Sequence, residues 1–289
     1  MTEHKKYAVL SMDIEDWYHL DYFSGKETDK TYSMLDGVVN YIELLGKYDI
    51  KTTFFTLSEI ADSAREIILY VAAQGHEIAC HGKDHVRPVL KDVDVFYKEI
   101  IEAKDTLSNL IGKEVTGYRA PCYSIDRERY DAVMAAGFKY SSSKIAFNQH
   151  PLYRELDLHD FEQQVPGIYS KDGFYEFELS TEPFLGKNIP VSGGGYIRIL
   201  PWIFMKPMIS SYLNNAKLYV LYIHPFELSR REMPRVSGVS FLTDVRARKG
   251  LGNVEGKVEQ LITMLVSHGF EIVSMNEAMG HLDTTRLVS

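Results

Sequence analysis

The chain has 289 residues, 45% hydrophobic and 25% charged, which suits one large globular domain over residues 1–289 and excludes a disordered or fibrous chain. Its formal net charge of −8 argues against nucleic acid as a partner, because a phosphate binder needs a basic face. Cys80 and Cys122 cannot build a disulfide framework and suit a reducing compartment. No apolar h-region precedes the first strand-like run and no run approaches membrane-spanning length, so a cytoplasmic protein without stable membrane insertion is expected. At most, YIRILPWIF is suited to touching a membrane surface.

In chain order, apolar runs at YAVLSM, TTFFTL, HEIAC, TGYRAP, KLYVLYIHP and FEIVSM read as strands. Between them, residues 32–48, 58–74, 93–112 and 127–137 carry apolar side chains at helical spacing, and 254–269 repeats the pattern late in the chain. Ser124 and Asp126 suit the N-terminus of the fourth helix, and Gly112 and Gly137 suit C-terminal caps. Alternating strands and helices predict an α/β fold around a largely parallel sheet. Residues 150–200 break the rhythm: YEFEL and the glycine cluster of SGGGYIRIL predict an irregular β excursion, perched over the site.

Ligand sites of parallel α/β sheets lie at the carboxyl ends of strands, and reactive residues collect there. After YAVLSM come Asp13, Glu15 and Asp16; after HEIAC come His81 and His85; after TGY comes Arg119, followed by Pro121, Cys122 and Tyr123; after KLYVLYI comes His224. Each has a plainer reading. The acidic cluster suits a helix N-terminus, an H-x3-H pair arises by chance at appreciable frequency, and Arg119 and His224 are ordinary surface or turn residues when taken alone. The glycines before Tyr196 fit either a bulge or a backbone that a substrate approaches.

Taken together and in this order, the motifs DIEDW, H-x3-H, YRAP, GGGYIRIL and YIHP resemble the polysaccharide deacetylase family, the NodB-homology or carbohydrate esterase family 4 enzymes, in its D-x-E-D-W/Y branch. The resemblance spans most of the chain. It implies a distorted, incomplete (β/α) barrel and a metal-dependent hydrolase that removes an acetyl group from a sugar. Asp13 matches the family's base, Arg119 the residue that restrains that base, and His224 the acid for the departing amine. His81, His85 and one carboxylate match its divalent-metal ligands, with Zn²⁺ the expected ion. Cys122 and Tyr123, with Gly194, Gly195 and Tyr196, are the candidates for oxyanion and substrate contacts.

Two departures stand out. Ile14 occupies the position of the family's metal-binding Asp, leaving Glu15 or Asp16 for that role; strand alternation favours Glu15. Ser141 replaces the Asp of a D-S-S motif, so an acid that could tune the catalytic His is missing or supplied elsewhere. The expected substrate is an acetylated sugar on a cytosolic precursor of surface glycan synthesis. An allantoinase-like amidohydrolase and a catalytically silent sugar-binding protein are the alternatives; the sequence does not define an oligomeric state.

Overall fold

The computed structural model describes residues 5–147 and 152–286. The first four strand-like runs become β1 (Lys6–Ile14), β2 (Thr53–Thr56), β3 (Glu77–Cys80) and β4 (Gly117–Tyr118), and a short strand that the sequence reading did not expect follows as β5 (Tyr140–Ser141). They alternate with α1 (Asp36–Gly46), α2 (Arg65–Ala73), α3 (Val93–Ile111) and α4 (Arg127–Ala135). The Asp126 side chain accepts from the Arg129 N–H and so caps α4, and Gly112 ends α3 in the left-handed conformation at φ 67°.

Next come β6 (Glu162–Val165), β7 (Ile168–Lys171), β8 (Phe174–Phe177), β9 (Thr181–Phe184) and β10 (Lys187–Pro190). Then follow α5 (Gly194–Ile199), α6 (Trp202–Asn215), β11 (Leu218–Ile223), α7 (Phe241–Arg248), α8 (Val254–Ser267), β12 (Phe270–Ile272) and α9 (Met275–Arg286). One ten-stranded sheet runs β11-β1-β2-β3-β4-β5-β8-β7-β6, with β12 paired to the start of β1. It is parallel from β11 through to β8, and only the β8-β7-β6 meander is antiparallel. This is the expected incomplete barrel, a curled sheet that does not close.

Strand alternation divides the core in two. Ala8, Leu10, Met12, Phe54, Ile78, Leu221 and Ile223 face the helices in the larger apolar cluster. Tyr7, Val9, Phe55, Ala79, Val220 and Tyr222 point into the concave interior in a second cluster. Any polar residue that continues the inner parity beyond the apolar layer is therefore delivered to one mouth of the half-barrel.

The β excursion expected near 150–200 is present as β6 to β10; its residues 150 and 151 lie outside the described residues. Its glycine cluster, however, is helical. Gly193 is extended and bridges to Tyr222, after which Gly194 begins α5. The low helix propensity of GGG is overridden by packing, because a Cβ on Gly194 would stand 2.0 Å from Glu227 Oε2.

A second glycine brings α1 against the turn that follows β11. A Cβ at Gly37 would stand 1.8 Å from the Pro225 carbonyl oxygen, one residue beyond His224. Gly37→Ala is expected to lower stability by about 1–3 kcal/mol through overpacking, measured by chemical denaturation, and to lower activity by displacing that turn.

Candidate active site

The candidate residues sit where the inner-facing parity runs out of sheet. Asp13 is the last inner-facing residue within β1, while Glu15, His81, Arg119 and His224 each stand immediately after the last residue of β1, β3, β4 and β11. Pairing of β1 with both β11 and β2, and of β3 with both β2 and β4, brings these ends side by side.

Arg119 is fully buried, and every polar face of its guanidinium is used. Nη1 donates to Asp13 Oδ1 at 2.7 Å and to Ser11 Oγ at 2.8 Å, Nε donates to the Ser142 carbonyl, and Nη2 to Ser142 Oγ. Its flat face lies 3.9 Å from the centre of the Phe55 ring. The three serines that replace D-S-S thus brace this arginine and its loop, since Ser143 Oγ also accepts from the Ala120 N–H. An acid does stand beside them. Glu176 of β8 lies opposite Ser141 in register and accepts from the Ser143 and Lys144 N–H groups and from the Tyr130 hydroxyl.

Glu15, His81 and His85 bring one donor atom each within 4.8 Å of one another. His81 Nδ1 lies 2.9 Å from the Arg119 carbonyl oxygen; a carbonyl only accepts, so Nδ1 carries the proton and Nε2 keeps its lone pair. Neither oxygen of the buried Glu15 carboxylate has a well-formed hydrogen bond, although His85 Nε2 stands 2.8 Å from Oε2 and His224 Nε2 3.5 Å from Oε1. Burial pushes the Glu15 carboxyl up, but the three imidazoles around it outweigh that and hold it at about 2. Burial pushes His81 down to about 4, so this ring is neutral and able to donate its lone pair. A buried, ionised and under-bonded carboxylate facing imidazole nitrogens is a donor set that fits a divalent cation.

Asp16 does not belong to this set. Its carboxylate turns away and accepts the Trp17 and Met34 N–H groups, capping the short 3-10 turn at Trp17–His19. The turn begins two residues after Glu15, with Asp16 as its N-cap, and takes the Asp16 side chain off the inner face, so of the two carboxylates left open by the sequence only Glu15 reaches the imidazoles.

His224 has an acidic partner that the motif reading missed. Glu227, three residues on in HPFE, folds back through a Pro225–Glu227 3-10 turn and accepts the His224 N–H at 3.1 Å. The same oxygen lies 3.3 Å from His224 Nδ1. Glu227 is in turn held by Arg198 Nε at 2.8 Å, with both side chains buried. Burial opposes protonation of His224, yet Glu227 and Glu15 outweigh it and lift the imidazole to about 9. The H-x2-E spacing around a proline turn was the available signal. Arg198 and Gly194 of GGGYIRIL serve this acid, the one by pairing and the other by giving it room.

Cys122 and Tyr123 occupy the Pro121–Tyr123 turn with positive φ of 55° and 51°, a strained backbone typical of sites rather than connectors. Both line the cleft with Gly195 and Tyr196, whereas Gly194 lies behind them against Glu227. The cleft measures about 390 Å³.

Residues 29–141 match the family model described as polysaccharide deacetylase, and residues 142–279 match one described as a domain of unknown function, DUF3473. A peptidoglycan deacetylase of Helicobacter pylori is 25% identical over 246 residues, 83% of this chain and 82% of its own length. Among solved structures, a Mycobacterium smegmatis protein assigned to the polysaccharide deacetylases superposes with a TM-score of 0.65 at 18% identity, over 99% of this chain and 93% of its own. A CE4 family pseudoenzyme of Bacillus anthracis gives 0.54 at 10% identity, over 95% of this chain and 66% of its own. At such identities the structural matches establish a shared fold.

The two neighbouring acids are separable by experiment. Asp16→Ala should cost about 0.5–2 kcal/mol of stability through the lost cap while leaving one zinc per chain by metal analysis. Glu15→Ala should leave folding intact and lose the metal. Asp13→Ala should destabilise the protein by about 3–5 kcal/mol in urea titration, because the buried Arg119 is left without its counter-charge.

Proposed function

The chain belongs to the polysaccharide deacetylase family, and from that premise we propose that its cleft removes the acetyl group of an N-acetylated sugar in a metal-dependent hydrolysis. The single observation that carries the reading is the convergence, at one mouth of the half-barrel, of the Asp13–Arg119 pair, the Glu15–His81–His85 donor set and His224. The sheet passes without a break from β5 to β8, across the junction of the two family models, which supports one catalytic domain over the whole chain.

Glu15, His81 and His85 would hold the cation, with Zn²⁺ the ion best suited to two imidazoles and one carboxylate. When bound, it supplies Lewis acidity that polarises the acetyl carbonyl and makes water more acidic. Asp13 takes the proton from the attacking water as the new C–O bond forms, and Arg119 fixes the direction of its carboxylate. The Cys122 N–H is the candidate donor to the oxygen on which negative charge develops. His224 delivers a proton from Nε2 to the nitrogen as the C–N bond breaks, giving acetate and a free amine. Glu227 supports this transfer by holding Nδ1, so that the other ring nitrogen faces the cleft.

The buttressed His224, with Nε2 3.5 Å from Glu15, supports catalysis over a silent sugar-binding role. We place the enzyme in the cytoplasm, acting on a glycan precursor; the modest cleft, with Tyr22, Tyr123, Tyr153, Tyr196 and Tyr222 in its lining, supports a small sugar unit more than a long polymer segment.

Acetate release by the zinc-loaded protein from N-acetylglucosamine oligomers and from sugar precursors tests the reading. Asp13→Asn is expected to lower kcat by about 10²–10⁴-fold. His81→Ala should lose both metal and turnover; stoichiometric zinc retained in that variant would overturn the site. Glu227→Gln should lower kcat by at least about 10-fold with KM little changed, whereas Glu227→Asp recovers part of the loss.

A further inference from the structure

We propose that the outer end of the cleft is a carrier subsite, built to hold the phosphate and hydrocarbon of a lipid-linked sugar. The proposal rests on the deacetylase reading for the chemistry at the inner end and on a different set of residues for the outer one.

The wall supplied by α5 and α7 differs from the rest of the cleft. Leu200, Leu242 and Val245 line it, followed by Arg246 and Lys249. Among the described residues these two cations have no carboxylate partner; Arg246 lies 5.4 Å from the centre of the Tyr22 ring. Arg248 between them is paired with Asp244, so the ordinary surface arrangement is present on the same helix and its neighbours depart from it. The two positions are also held in place. Arg198 Nη1 donates to the carbonyl oxygens of Arg246 and Lys249, at 2.9 and 2.6 Å, and this fixes the end of α7 against the cleft.

Apolar side chains close in sequence to this wall are exposed. Phe241 and Leu242 in the first turn of α7 are 79% and 78% exposed, and Ile203 and Phe204 in the first turn of α6 are 75% and 66% exposed. Scattered exposed apolar side chains are ordinary, but Leu242 is also part of the cleft lining and Phe241 adjoins it in the same turn. The occupant must therefore present an acetamide to the inner end, an anion to Arg246 and Lys249, and hydrocarbon to Leu242 and Phe241. A neutral polysaccharide uses neither of the last two features, and a sugar nucleotide uses only the cations. A sugar joined through phosphate to a lipid uses all three.

Farnesyl diphosphate carries the anion and the hydrocarbon without an acetyl group, so its binding is independent of catalysis. With the zinc-loaded full chain it should bind at least about 10-fold more tightly than inorganic diphosphate. The double variant Arg246→Gln, Lys249→Gln should weaken it by at least about 10-fold, and Leu242→Asp should remove its advantage over inorganic diphosphate. Equal binding of the two probes, or binding unchanged in the variants, overturns the subsite. In parallel, acetate release from farnesyl-diphosphate-linked N-acetylglucosamine should exceed that from N-acetylchitotetraose in kcat/KM, and that ratio should fall toward one in the same variants. Release from the oligomer alone, or a ratio that the variants leave unchanged, also overturns the subsite. Release from neither, with farnesyl diphosphate binding as expected, overturns the deacetylase reading and leaves the subsite standing.

Discussion

A guanidinium with no exposure to water is sustainable only if its charge is answered on the spot, and in this protein the answer is Asp13. Asp13 comes from β1, Arg119 from the end of β4, and the remaining donors of Arg119 are spent on Ser11 and Ser142. The first, fourth and fifth strands are thus tied together at their carboxyl ends by one side chain. The Arg119 carbonyl then fixes the tautomer of His81, so the residue that orients Asp13 also orients His81. Phe55, from the second strand, closes the face of the guanidinium against water.

Crowding of acids in DIEDW resolves into three separate electrostatic environments. Asp13 meets an arginine, Glu15 meets imidazoles, and Asp16 meets two backbone N–H groups at the start of a turn. Strand alternation separates the first two from Ile14, and the turn separates the third from both. Like charges coexist within four residues because the chain changes conformation among them, with every carboxylate aimed at a different positive partner.

Much of this was legible in the sequence because it depends on period two. The parity that makes YAVLSM a strand also predicts that Asp13 and Glu15 share a face, and the helix spacing at 93–112 and 127–137 gave α3 and α4 nearly to the residue. What escaped reading depends on contacts distant in sequence or on local turns and helices that lack a periodic signal. GGGYIRIL looked unsuited to a helix until Glu227 is seen pressing on Gly194. Helix α6 carries Pro207 in its interior, and α7 begins with two adjacent exposed apolar residues, so neither presents a clean apolar stripe. Glu227 hid because its partner His224 lies only three residues away across a proline turn, a spacing that carries no signal unless that turn is anticipated. The acid sought at Ser141 is divided in the fold: Glu176 braces the serines, while Glu227 serves the histidine.

Arg198 gives that division a consequence. It stands between Glu227 and the end of α7, donating to the carboxylate through Nε and to the Arg246 and Lys249 carbonyls through Nη1. One fully buried group therefore sets both Glu227 behind His224 and the end of α7, which lines the cleft. A guanidinium can bridge the two because its donors lie in one plane at fixed angles; a lysine would satisfy one side and leave the other buried and unpaired. Glu227 is therefore the link between α7 and His224, and the absent side chain at Gly194 leaves it room. The setting of His224 and the setting of α7 are in this way joined through the two ends of one arginine.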